Sequence, residues 1–210
     1  MVKRYFRANK EARNIRIVKA VSIVALLALF FSLLAYLYID RFSSSSACLK
    51  PLSEEAVLKI AANGGYSSLP TDAVAYNSYI VPLYMKEGAE FMPSLEDVQA
   101  SLLSYVREKN KLCDDDIKVR FGRHDVKIGR AFEHAVVPVA LEEDYDKAVQ
   151  LYEAQKNISA ISLAELARLA KQGNYVLHIN ANNNTILYFM TFTNEVVDGK
   201  PLVFAFGIKK

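Results

Sequence analysis

The feature that most constrains this chain is an uncharged apolar run at residues 20–39, with the sequence AVSIVALLALFFSLLAYLYI. The run contains neither proline nor glycine. At 1.5 Å per helical residue it is about 30 Å long, which matches the hydrocarbon core of a bilayer. It is also longer than the roughly 7–15 apolar residues of a signal peptide. The sequence therefore predicts an uncleaved, single transmembrane helix.

The charge on the two sides of this run predicts its orientation. Residues 1–19 hold seven Lys or Arg against one Glu, whereas the remainder holds nineteen basic against twenty-two acidic residues. By the positive-inside rule the N-terminus is cytoplasmic, and the domain after the run is periplasmic, at the bacterial inner membrane. The lipid bilayer is thus a predicted partner. The mildly acidic domain argues against nucleic-acid binding, despite a net charge of +3 for the whole chain.

Two alternatives to an anchor come from the residues that follow. Ser45 and Ala47 stand at the −3 and −1 positions of a signal-peptidase site, which would release the domain. Cys48 comes next and would suit lipid attachment, but it lies nine residues beyond the apolar run. Four consecutive serines, 43–46, make residues 40–51 a polar, flexible linker in this interpretation.

Residues 52–210 are long enough for one domain with its own core. Helical periodicity follows Ser53, Ser94, Asp144 and Ser162, and Ser94 and Ser162 each have an acidic residue three positions on. Near the C-terminus the period changes to two over residues 175–181, 185–193 and 202–208. The predicted fold class is α+β: a transmembrane helix, then about four helices packed on an antiparallel sheet that ends in a three-stranded meander.

Small residues repeat at intervals of three and four within the apolar run. They form a stripe that would let another membrane helix approach closely, and the alternative is that small residues fall there by chance. The stripe consists of Ala25, Ala28, Ser32 and Ala35.

The chain has two cysteines, Cys48 and Cys113, and both follow the apolar run. In an oxidising compartment such a pair predicts a disulfide, and the alternative is two free thiols.

Two groups of side chains predict an interaction surface of the exported domain. One is aromatic, because tyrosine is enriched in protein interfaces, and the other is basic and lies on a predicted hairpin at residues 117–128. The alternatives are half-buried tyrosines and a solvated strand face. The residues are Tyr76, Tyr79 and Tyr84 in the first group, and Lys118, Arg120, Arg123, Lys127 and Arg130 in the second.

No motif in the sequence predicts catalysis. The three histidines, His124, His134 and His178, have no zinc-hydrolase spacing, and the chain lacks a nucleophile elbow and a glycine-rich phosphate loop. We therefore predict no enzyme, no cofactor and no metal site.

The predicted function is that of a non-enzymatic subunit of a bacterial cell-envelope complex, in which the exported domain contacts other membrane or envelope proteins. This layout is similar to that of the bitopic inner-membrane subunits of type IV secretion and conjugation systems, although no residue motif carries the likeness. One alternative is a tethered ligand-binding or inhibitor (immunity-type) domain. Another is a membrane-anchored hydrolase that uses His124 or His134.

Overall fold

The structure is a computed structural model that describes residues 27–34, 49–109, 117–130, 134–157, 162–182 and 184–210. The chain divides into two units, Met1–Ser45 and Ser46–Lys210. Of the first unit, residues 27–34 are described, and they are helical. The elements named below all belong to the second unit.

Helices and strands alternate irregularly along the second unit. The helices are α1 (49–62), α2 (Leu95–Lys109), α3 (Leu141–Lys156) and α4 (Leu163–Gly173). The strands are β1 (Ala73–Tyr76), β2 (Tyr79–Lys86), β3 (Ala89–Glu90), β4 (Lys118–Phe121), β5 (Val126–Gly129), β6 (His134–Val137), β7 (Val176–Asn182), β8 (Thr185–Val197) and β9 (Lys200–Lys209).

The strands form two sheets. The large sheet has the order β1-β2-β9-β8-β7, with β3 paired to β2, and the small sheet has the order β4-β5-β6. All pairs are antiparallel except β2 and β9, which run parallel from the pair Leu83–Gly207 onward. The large sheet is therefore mixed, and its central strands come from distant parts of the chain.

Local sequence determines where two of the helices begin. At the start of α2 the Asp97 backbone N–H donates to the Ser94 hydroxyl (3.2 Å), and the Ser94 N–H donates to the Asp97 carboxylate (2.9 Å). This is the predicted capping box, in which each residue satisfies a backbone donor of the other. At α4 the Ser162 hydroxyl accepts from the Glu165 N–H (3.4 Å). Both predicted helix starts are confirmed.

One face of the large sheet packs on the helices and forms the main core. Phe206 lies between two tyrosines, with ring centroids 4.7 Å from Tyr84 and 5.1 Å from Tyr188. Tyr152 of α3 meets the same group edge-on, 5.8 Å from Tyr84. The Tyr84 hydroxyl donates to the Gly64 carbonyl (2.7 Å), so its burial leaves no unpaired polar atom, and burial raises the pKa of Tyr84 well above its usual value.

The predicted fold class is wrong, although the domain is α+β. The sheet is not antiparallel, because β2 pairs in parallel with β9. Within the described residues, no helix combines the length and hydropathy needed to cross a bilayer, so the predicted transmembrane helix finds no support there. The three-stranded meander β7-β8-β9 is present.

Strand β2 lies inside the sheet, between β1 and β9, and contains Pro82, which cannot donate to a ladder. Its pairing with β9 begins at Leu83, one residue after the proline, so the missing donor interrupts no hydrogen bond to β9.

Residues 49–51 of the predicted linker belong to α1, and Ser53 lies inside that helix instead of starting it. The buried Ser53 hydroxyl donates to the Leu49 carbonyl (2.7 Å), so it satisfies its hydrogen bond within the helix.

Candidate interaction surfaces

The large sheet carries a second apolar cluster on the face that is turned away from the main core, called here the second face. Side chains alternate along a strand, so β8 sends Tyr188 to the helices and its neighbours Leu187 and Phe189 to the second face. The buried members of this cluster are Val81, Leu187, Phe189 and Ala205, with Val74 and Tyr76 partly buried against it. The sheet is thus apolar on both faces.

Aromatic side chains of the β1–β2 hairpin lie over this cluster. The Phe189 ring centroid is 5.6 Å from that of Tyr76 and 5.5 Å from that of Tyr79. Tyr79 and its neighbour Ile80 keep 39% and 50% of their surface exposed. Ile80 alternates with Tyr79 and Val81 and therefore points to the opposite face of β2. We call Tyr76, Tyr79 and Phe189 the aromatic surface.

A two-residue turn holds these side chains in place. Tyr76 pairs directly with Tyr79, so Asn77 and Ser78 alone connect β1 to β2. Asn77 has φ of 51°, in the left-handed region that asparagine tolerates better than most residues. Such turns are typical of tight hairpins, and here the turn carries two tyrosines to the same face.

The large sheet curls, so its two ends approach each other over the second face. β1 and β7 stand at opposite ends of the strand order, yet the Asn180 side-chain amide donates to the Tyr76 hydroxyl (3.1 Å). A cleft of about 400 Å³ lies beside this contact. Its polar lining comes from Tyr76, Asn180, Asn182, Asn184, Thr185 and Lys209.

The structure separates the three tyrosines of the predicted surface. Tyr76 and Tyr79 belong to the aromatic surface, whereas Tyr84 is fully buried in the main core. The reason is the alternation of β2, which directs Tyr84 toward the helices. Tyr84 is therefore not available to a partner.

The predicted basic hairpin is present as β4 and β5, and three of its basic residues share the exposed face of the small sheet. Arg120 lies directly opposite Lys127, and Lys118 lies opposite Gly129. Like charges at directly opposed positions repel each other, and the salt bridge from Lys127 to Asp125 (3.5 Å) offsets part of this cost. We call Lys118, Arg120 and Lys127 the basic surface.

The two other predicted basic residues lie outside this face. Arg123 is exposed in the β4–β5 turn, and Arg130 is exposed just after β5. A buried residue, Val119, separates Lys118 from Arg120 and points to α2, where the Gln99 side-chain amide donates to the Val119 carbonyl (2.5 Å). The small sheet thus packs on α2 with one face and presents charge with the other.

A buried carboxylate lies at the start of α3. Asp144 is 1% exposed, and its Oδ1 atom lies 3.0 Å from the Lys147 Nζ atom, while no described atom hydrogen-bonds to its Oδ2. Burial raises the pKa of Asp144 to about 6. Lys147 also pairs with Glu143 (3.0 Å), and this contact lowers the pKa of Glu143. At neutral pH the Asp144 carboxylate is therefore a charged group in the core, and the free energy of unfolding should depend on its protonation.

The histidines do not assemble a hydrolase site in the part of the chain that is described. His124, His134 and His178 are all exposed, in a turn and in two strands. None of them is hydrogen-bonded there to a serine or a carboxylate.

Several predicted residues lie outside the described ranges. These are Cys48 and Cys113 of the predicted disulfide, and Ala25 and Ala35 of the small-residue stripe. Ala28 and Ser32 are described, one turn apart in the helical residues 27–34, where the Ser32 hydroxyl donates to the Leu29 carbonyl (2.9 Å).

Sequence reasoning missed Phe189 and Asn180. A signal for Phe189 exists, because Ile186 to Met190 form an unbroken apolar run, which is typical of a strand buried on both faces. Nothing local marks Asn180, since its contact with Tyr76 depends on the curl of the whole sheet.

Comparison of the chain with protein-family models, with curated proteins and with solved structures finds no match. Function is accordingly inferred from the surfaces themselves.

Proposed function

We propose that the second unit is a non-enzymatic assembly domain that binds a partner protein through the aromatic surface. The observation that supports this proposal is the second apolar cluster, with Tyr79 exposed beside it. Apolar side chains that gather on a surface, as opposed to standing singly, are typical of contact sites. Tyrosine suits such sites, because its ring contributes apolar area and its hydroxyl a hydrogen bond.

The proposal includes the predicted role as a subunit of a bacterial cell-envelope complex of the secretion or conjugation type. Its support is the sequence of residues 1–39, with seven basic residues before an uncharged run, together with a domain that offers surfaces for contact. Fractionation of cells, followed by protease treatment of spheroplasts, tests the predicted periplasmic location. Protection of the domain from added protease would contradict it.

Photo-crosslinking tests the aromatic surface directly. A benzoylphenylalanine residue replaces Tyr79 in the full chain, expressed in its own cells, and a matched control places the same residue at Leu163. Leu163 is 71% exposed and lies on α4, away from the aromatic surface. We expect a discrete protein adduct at position 79 and none at position 163. Equal labelling at both positions, or no adduct at 79, would contradict the proposal.

A second candidate function, the binding of an anionic ligand, is favoured by the basic surface. Arg120 and Lys127 lie opposite each other, so an anion bound between them would relieve their repulsion. Co-sedimentation of the full chain with phosphatidylglycerol vesicles tests this function. Residues 1–19 are basic as well, so some binding is expected in either case, and an affinity that is unchanged when both residues are changed to glutamate would exclude the basic surface as the site.

A further inference from the structure

The strands at the sheet edges differ in how well they are protected against pairing with another strand. Proteins protect such edges by shortness, by charge or by proline. β1 and β6 have four residues each, and Pro138 follows β6 at once. β4 carries Lys118 and Arg120, both exposed, and β3 has only two residues.

β7 has none of these protections. Its seven residues, VLHINAN, include no Lys, Arg, Asp, Glu or Pro. All seven pair with β8 in continuous register, with no bulge to twist the edge away. No described strand pairs with its other side. Every second residue of β7 therefore points a backbone N–H and a carbonyl away from the sheet, over about 23 Å of strand.

The cleft between β7 and β1 adds side-chain recognition to this backbone edge. Asn180 and Asn182 lie on the same side of β7, and each amide both donates and accepts hydrogen bonds. Lys209 is the charged side chain among the lining residues, and no carboxylate lines the cleft. This lining suits a segment with hydroxyl or amide side chains and an acidic residue near Lys209.

We propose that the free edge of β7 binds an extended, neutral or acidic segment of a partner protein, which adds to the large sheet as a further strand. This inference rests on the proposed function, since it names the part of the partner that is bound. In such strand addition the backbone hydrogen bonds supply affinity, and the side chains along the cleft supply specificity.

The position of β1 favours a single segment over a second copy of the domain. The Tyr76 hydroxyl reaches Asn180, so the β1–β2 hairpin lies beside the C-terminal half of the edge. An isolated strand needs less than about 5 Å of width next to β7. A second copy would bring a whole sheet with its packed helices, which would displace the hairpin.

A peptide library tests the proposal while the partner itself is unidentified. A phage-displayed library of random twelve-residue peptides is selected on the full chain, and hydrogen exchange is measured with each selected peptide. We expect protection of alternate β7 amides, the ones that point away from β8. We also expect the selected peptides to lack proline in their central residues and to carry an excess of Asp or Glu.

Two adjacent proline variants, His178→Pro and Ile179→Pro, provide a matched pair. Backbone N–H groups alternate in direction along a strand, so one variant removes a free-edge donor and the other removes a donor to β8. The variant that removes the free-edge donor should keep a melting temperature closer to that of the parent chain, because its hydrogen bonds to β8 remain. That variant should bind the selected peptides at least about tenfold more weakly than the parent chain does. Exchange mapping on the parent chain decides the question if neither variant folds.

The remaining outcomes overturn the proposal in distinguishable ways. Peptides that protect only Tyr79 and Ile80 would contradict the edge site and leave the proposed function intact. Selection of no peptide would contradict the edge site, and the crosslink at position 79 would then decide the proposed function alone. Concentration-dependent dimers that protect the β7 amides would show that the edge binds a second copy of the chain.

Discussion

The large and the small sheet each pack one face on helices, but their other faces differ in kind. The second face of the large sheet buries Leu187 and Phe189 under aromatic side chains of its own hairpin. The exposed face of the small sheet holds Arg120 opposite Lys127 and has no apolar cluster among the described residues. The second face of the large sheet thus buries apolar side chains, whereas the exposed face of the small sheet presents charge.

This difference predicts different responses to salt. Contacts made by exposed charges weaken as ionic strength rises, because the screening length falls to about 3 Å at 1 M salt. Burial of apolar side chains does not depend on such screening. A partner of the aromatic surface should therefore stay bound at high salt, and a ligand of the basic surface should dissociate.

The largest expected effect on stability comes from a substitution in the main core, and it tests the comparison between the two faces of the large sheet. Phe206→Ala removes a fully buried ring stacked against Tyr84 and Tyr188, and we expect a loss of about 4 kcal/mol in the free energy of unfolding. Phe189→Ala, on the second face, should cost about half as much, because fewer buried residues surround that ring. Urea denaturation measures both. Equal losses would mean that the second face is as much a core as the first.

The next prediction concerns Asp144, which is buried in the first turn of α3. The pKa of Asp144 is raised mainly by burial, with a smaller contribution from Glu195 of β8, while Arg123 and His124 of the small sheet act on its neighbour Glu143. The folded state therefore binds a proton at Asp144 more tightly than the unfolded state. Stability from this group is present at low pH and is lost as the pH rises from about 4 through about 6.

Asp144→Asn removes this dependence. Relative to the parent chain, the variant should gain up to about 3 kcal/mol in the free energy of unfolding between pH 4 and pH 7.5, since the pKa of Asp144 rises from 3.8 to about 6. Denaturation curves at both pH values measure the gain. Asp146→Asn, at an exposed position of the same helix, is the control and should show no such gain. A difference in the free energy of unfolding between Asp144→Asn and the parent chain that does not change with pH would contradict the raised pKa of Asp144.

A smaller effect tests the like-charge pair of the small sheet. Arg120→Glu places an opposite charge across from Lys127, and we expect a stabilisation of about 0.5 kcal/mol that 1 M salt abolishes. Lys118→Glu makes the same charge change across from Gly129, where no side chain responds, and should be neutral. Thermal melts at low and high salt measure both variants. An equal gain from the two would assign the effect to net charge.

The sequence predicted the elements that depend on residues close to one another in the chain. The Ser94–Asp97 cap and the β4–β5 hairpin depend on residues within a few positions of one another, and the meander depends on short connections. The parallel pair of Leu83 with Gly207 has no local cause, because it joins distant segments. The transmembrane prediction came from the hydropathy of residues 20–39, of which the structure describes residues 27–34 as helical.

The same distinction explains what the sequence could show of the candidate surfaces. Alternation within β4 placed Lys118 and Arg120 on one face correctly. The same alternation puts Tyr79 and Tyr84, five positions apart, on opposite faces of β2, but Pro82 obscures that strand in the sequence. The free edge of β7 becomes visible only when the order of all the strands is known.

A comparably small effect on stability belongs to the side chain that matters most for the proposed function. Tyr79→Ala removes a side chain that is 39% exposed, and we expect it to cost less than about 1 kcal/mol in the free energy of unfolding. The same change should reduce crosslinking to a partner, measured with a photo-reactive residue placed at the adjacent Ser78. Val196→Ala, at an exposed apolar position on β8, should leave that crosslink unchanged. A large loss of stability in Tyr79→Ala would instead show that Tyr79 serves mainly to cover Phe189, and the aromatic surface would then be a structural cap.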